Sequence, residues 1–112
     1  MTQVTLYVTP RGRITGYAAL GHTGYAQEGR DIVCAGVSTL TQSTVNALEG
    51  VARVTPHVVR KPGLLLVRVN KAAGMRWHDA QIILRSCARN LQQLASQYPD
   101  NVRVNWKLDA VQ

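Results

Sequence analysis

His22 and Cys34 stand twelve residues apart, in surroundings that differ in ways that matter for chemistry. His22 lies in residues 21–29, where Gly21, Gly24 and Gly29 break any periodicity and predict a flexible loop. Cys34 follows Asp31, a favoured N-cap residue, so it is expected as the third residue of a helix. A thiol in a first helical turn meets unpaired backbone N–H groups and the positive helix end, and both favour the reactive thiolate. Ala35 and Gly36 leave room for a peptide backbone to approach. Backbone N–H groups of the same turn could hold an oxyanion. An imidazole folded back over the helix start can take the thiol proton and later protonate a leaving amine. The pattern suits acyl transfer, with Cys34 as nucleophile and His22 as general base. Taken alone it is a weak signal, because most unbridged cysteines are small buried hydrophobes.

Two neighbours have two readings each. Asp31 can cap the helix or orient His22. Ser38 lies one turn after Cys34 on the same face, where it can hydrogen-bond near the site or bond back to the helix backbone. The remaining candidates carry less. Cys87 falls in an apolar stripe, which points to core packing. His57 and His78 have no ligand spacing to each other or to the cysteines, so no metal site is expected. No phosphate-binding glycine motif occurs, and no cofactor is expected.

The elements that must position these residues follow from periodicity. Residues 3–9 alternate as a half-buried strand, Pro10-Arg11-Gly12 marks a turn, and residues 13–20 complete a hairpin. A helix is expected from Asp31, with apolar positions at Val33, Val37, Leu40 and Leu48 and a stop near Gly50. Thr44 continues that face less well. Residues 52–60 and 64–70 read as strands around Pro62-Gly63, with Pro56 weakening the first. Residues 77–98 carry a long apolar stripe through Leu84, Cys87, Ala88, Leu91, Leu94 and Ala95. Residues 102–108 alternate as a last strand. The order ββ-α-ββ-α-β implies an α+β two-layer domain spanning 1–112, with a mainly antiparallel sheet and both helices on one face. The other face must be wet or covered by a second copy.

Thirteen Lys and Arg oppose six Asp and Glu, for a net charge of +7. Such a surface favours nucleic acid, a ribosomal neighbourhood or an acidic partner. The cations are scattered, which argues against a basic tail. No segment approaches a membrane span and no signal peptide is expected, so the reading is cytoplasmic, with two thiols rather than a bridge.

GHTGYAQEGRDIVCAGVSTL, residues 21–40, resembles the signature of the ribosomal-processing cysteine protease family (Prp). That signature pairs a Gly-His loop with Gly-x-Asp-Ile-Val-Cys-Ala-Gly-Val-Ser. The later QYPDNVRV resembles the family's end of the second helix and start of the last strand. The resemblance implies a homodimeric cysteine endopeptidase that removes a short N-terminal extension from a large-subunit ribosomal protein. It maps the catalytic histidine onto His22 and the nucleophile onto Cys34, and Asp31 and Ser38 match motif positions. Residues 21–29 would then form a substrate loop that orders when peptide binds. The high positive charge suits proximity to ribosomal RNA better than it suits a basic ribosomal substrate. A reading from a different class remains beside it, a non-catalytic basic ribosome- or RNA-associated module.

Overall fold

The structure is a computed structural model and describes residues 1–21, 32–72 and 74–109. Strands β1 (Thr2–Val8) and β2 (Ile14–Leu20) precede helix α1 (Ile32–Gly50). Strands β3 (His57–Lys61) and β4 (Leu64–Arg68), helix α2 (Met75–Gln97) and strand β5 (Val102–Leu108) follow. The five strands form one sheet in the order β3-β4-β2-β1-β5. Three pairings are antiparallel, and β1 runs parallel to β5. The parallel pairing follows from α2, which carries the chain back over the sheet before β5 begins.

Alternation along each strand decides which face is covered. Val4, Leu6, Tyr17, Leu65 and Val67 are buried beneath the helices. Both helices contribute to the core on this face, α1 through Val33, Val37, Val45 and Leu48, and α2 through Ala80, Leu84, Cys87, Ala88 and Leu91. The apolar stripe expected on α2 is the buried one. On α1 the buried face runs through Thr41, Thr44 and Val45, while Leu40 is half-buried. Threonine can occupy this face because its hydroxyl is satisfied locally. Thr41 Oγ1 donates to the Val37 carbonyl at 2.8 Å, and Thr44 Oγ1 to that of Leu40 at 2.7 Å.

The strand expected over residues 52–60 begins only at His57. The C-terminus of α1 claims the earlier residues. Val51 N and Ala52 N donate to the Ala47 carbonyl at 2.8 and 3.1 Å, and Val54 N to that of Leu48 at 3.0 Å. Ala52 and Val54 are buried as the chain wraps the helix end. Arg53 adopts a φ of +60° there, which no strand allows. Pro56, lacking an N–H, then marks the boundary.

Two buried polar contacts fix the helices on the sheet. Gln81 of α2 accepts from Ile14 N and donates to Ile14 O, each at 2.8 Å, as a neighbouring strand would. Tyr17 of β2, fully buried, donates its hydroxyl to the Thr41 carbonyl of α1 at 2.7 Å. Burial pushes the Tyr17 phenol well above its ordinary range, the nearby Cys87 adds to this, and Arg60 and Thr44 offset part of it. Burial likewise pushes the Cys87 thiol up, against a smaller opposing effect of Thr44.

Both groups therefore hold their protons more tightly folded than unfolded. Their contribution is complete below the unfolded values, about 8.5 for cysteine and about 10 for tyrosine, and is lost as pH rises beyond them. Urea titrations across alkaline pH should show stability falling from about pH 8.5 in the wild type, and only from about pH 10 in Cys87→Ala. An identical profile for the two proteins would contradict this role of Cys87.

Candidate active site

Cys34 is the third residue of α1, as the sequence predicts, and it is half-buried. Val37, Ser38 and Thr41 follow it on the same side of the helix, at spacings of one and two turns. All four line a cleft of about 280 Å³. The opposite wall is built from Thr2, from Ala19 and Leu20 at the end of β2, and from Lys61, Gly63, Leu64 and Leu65 at the β3–β4 turn. The mixture of apolar walls with a few polar groups suits a peptide side chain and its backbone.

The turn opposite Cys34 depends on backbone conformations that favour glycine. Gly63 has a φ of +75° behind Pro62, and its carbonyl accepts from Gly21 N at 3.1 Å. Gly21 itself has a φ of +78°, and a Cβ there would sit 3.2 Å from the Met1 carbonyl. The end of β2 is thus tied to the cleft's rim by the residue that immediately precedes His22. At the far side, Ile32 opens α1 with 77% of its surface exposed, two residues before Cys34. Gly21 and Ile32, the described residues that flank 22–31, therefore stand one residue from the cleft-lining Leu20 and two from Cys34.

His22, Gly24, Gly29 and Asp31 lie outside the described residues. The choice between cap and orienting group for Asp31 falls there too. Ser38 is exposed on the cleft wall, and its hydroxyl makes no hydrogen bond among the described residues. Its carbonyl accepts from Thr41 Oγ1 at 3.2 Å. Cys87 is buried in the core, 4.0 Å from the Leu40 carbonyl, and takes no part in the cleft.

Three cleft residues escaped the sequence reading. Thr2 is 4% exposed, and its hydroxyl is buried without a hydrogen-bond partner among the described residues. A polar side chain at a chain start gives no local signal of this. Gln42 accepts from Arg60 Nε and Nη2 at 3.3 and 3.1 Å, which braces the cleft wall against β3. Lys61 supplies a cation at the rim. Their convergence depends on the β3–β4 hairpin closing over α1, which periodicity cannot show.

Comparison with known proteins decides between the two readings of the sequence. Residues 1–103 match the model of the family described as "Cysteine protease Prp". The chain belongs to this family and is a cysteine protease. Among Prp relatives, the ribosomal processing cysteine protease Prp of Staphylococcus aureus is 30% identical over 109 residues, covering 96% of this chain and 100% of the relative. A crystal structure of S. aureus Prp with a covalently linked product peptide matches with a TM-score of 0.84 at 30% identity, covering 96% of this chain and 100% of that one. Another, with a substrate peptide, matches with a TM-score of 0.83 at 29% identity over the same shares. The α+β architecture is that of Prp, and the reading as a non-catalytic module gives way to that of an enzyme. None of the helices among the described residues is long and apolar enough to cross a membrane.

Proposed function

We propose that this Prp protease cleaves the N-terminal extension of a large-subunit ribosomal protein, with Cys34 as nucleophile and His22 as general base. The observation that carries the assignment is the position of Cys34, in the first turn of α1 and open to a cleft beside both ends of the His22 segment. In the first step the Cys34 proton passes to His22, and Sγ bonds to the scissile carbonyl carbon. The carbonyl oxygen takes up the negative charge, facing backbone N–H groups of the helix start. The C–N bond then breaks, and His22 gives its proton to the departing amine. Water, deprotonated by His22, attacks the thioester, and the Cys34 thiolate leaves. The sequence needs no metal or cofactor. Asp31, Ser38 and the loop glycines 21, 24 and 29 act in support, as the family motif implies. The substrate class rests on the relatives named as ribosomal processing proteases.

Incubation with a precursor ribosomal protein, followed by intact-mass analysis, tests this. Wild-type protein is expected to release the extension, and Cys34→Ala to release none. His22→Ala should lose about 10²–10⁴-fold in rate. Undiminished cleavage by either variant contradicts the dyad.

The same proposal includes a cytoplasmic homodimer working close to ribosomal RNA. The face of the sheet away from the helices carries Ala18, Leu20, Val59, Leu64 and Leu66 across three neighbouring strands. Leu20 leaves 54% of its surface exposed there. A second copy covering this face accounts for an apolar surface that water would not favour. Light scattering at micromolar concentration should return twice the 12.3 kDa chain mass. A monomer mass would contradict it.

A further inference from the structure

A second groove shares no lining residue with the Cys34 cleft. It runs between the exposed flank of α2 and β5, the outermost strand on that side of the sheet. Arg85, Arg89 and Gln92 of α2 form one wall and Trp106 of β5 the other, enclosing about 470 Å³. Gln92 and Trp106 also line the adjoining depression, which continues past Arg103 towards the end of α2. Trp106 keeps 46% of its surface exposed although it points to the helix side of the sheet, where Val4, Leu6 and Val102 are buried.

The charge along this groove has one sign. The charged side chains lining the two depressions are Arg85, Arg89 and Arg103, with no Asp or Glu among the lining residues; Asp100 stands at the outer end, between Pro99 and Asn101. Among the described residues, no carboxylate forms an ion pair with Arg85, Arg89 or Arg103; the pairs there are Arg68–Asp109 and His78–Asp79. Arg85 and Arg89 across from an open indole, with Arg103 farther along the edge strand, offer what a single-stranded nucleic acid needs. The cations meet phosphates, and the indole offers a stacking face to any unpaired base. Gln92 adds a donor and an acceptor at the same place. A duplex keeps its bases stacked and would leave the Trp106 face unused.

We infer that the α2–β5 groove, with Arg85, Arg89, Arg103 and Trp106, binds single-stranded RNA. RNA is preferred to DNA only because of the ribosomal setting proposed above, on which this part of the inference rests. The binding itself is independent of the protease dyad, since the two sites share no residue.

Fluorescence anisotropy of a labelled mixed-sequence oligoribonucleotide, titrated with intact protein over a salt series, tests the inference. With three phosphate contacts, log affinity should fall against log salt with a slope of about −2, at about −0.7 per contact on a single strand. Arg85→Gln combined with Arg89→Gln should bring that slope to about −0.7. Trp106→Ala should weaken binding by roughly 5- to 150-fold, the loss of one stacked base. Both variants should keep the wild-type thermal midpoint and the wild-type rate of peptide cleavage. Unchanged affinity and slope in both variants would overturn the inference. Equal affinity for duplex RNA would overturn the stacking role of Trp106. Binding of polyglutamate in place of RNA would assign the groove to an acidic protein. Equal binding of the matching oligodeoxyribonucleotide would overturn the choice of RNA over DNA alone. RNA binding by a wild-type protein that fails to cleave the precursor ribosomal protein would count against the proposed substrate and leave the groove standing.

Discussion

The hydrogen bond from Tyr17 to the Thr41 carbonyl fixes where α1 lies on the sheet, and the position of Cys34 depends on it. Tyr17 is the largest fully buried side chain of the core. Burying such a ring contributes about 1.5–3 kcal/mol, while a net internal hydrogen bond contributes about 0.5–1.5 kcal/mol. Burial therefore supplies most of the energy, and the hydrogen bond supplies the register. Thr41 is seven residues after Cys34, two turns along the same face. Locking Thr41 over β2 holds the first turn of α1 above the end of that strand. The cleft opens there because the end of β2 and the starts of β4 and β1 lie near the same level. Gln81 does the matching work for α2, by pairing its amide with the buried backbone N–H and carbonyl of Ile14.

These anchors also set how the two faces of the molecule divide their tasks. The helices seal one side of the sheet and leave their outer flanks available. α1 turns its first residues to the cleft that Cys34 lines. α2 turns its arginines to the groove beside β5. Near the far end of the sheet, Asp109 is buried and accepts from Thr15 Oγ1 at 2.6 Å and from Arg68 at 2.9 Å. Arg68 also lies 5.0 Å from the ring centre of Tyr7 on the uncovered face. The residue that ends β4 is thus spent on closing the sheet after β5, so one of the cations near that face is already paired.

Much of this was legible in the residues themselves. Alternation and helical stripes are local signals, and they locate all seven elements, the third-residue position of Cys34 and the core role of Cys87. The exception, residues 52–60, mixes two local signals: Ala52 and Val54 are apolar at strand spacing, but the backbone N–H groups of Val51, Ala52 and Val54 donate to the end of α1. What stayed illegible depends on long-range pairing. Nothing near Gln81 announces that its partner is Ile14, 67 residues away. Nothing near Thr2 announces that it lines the same cleft as Cys34. The parallel pairing of β5 with β1 likewise depends on where α2 delivers the chain. Chemistry was clearest where residue type and helix position coincide, at Cys34. It was least clear at Ser38 and Asp31, where a structural and a functional role demand the same residue type.

We propose that Cys34, in the first turn of α1, attacks the substrate through its Sγ. A crystal structure of the protein after reaction with a peptide halomethyl ketone tests it most directly. The expected result is a bond from Cys34 Sγ to the methylene carbon of the inhibitor, its peptide lying between Ser38 and Thr41 on one side and Gly63 and Leu64 on the other, with Cys87 unmodified. An adduct on any other side chain, or a peptide lying outside that cleft, would contradict it.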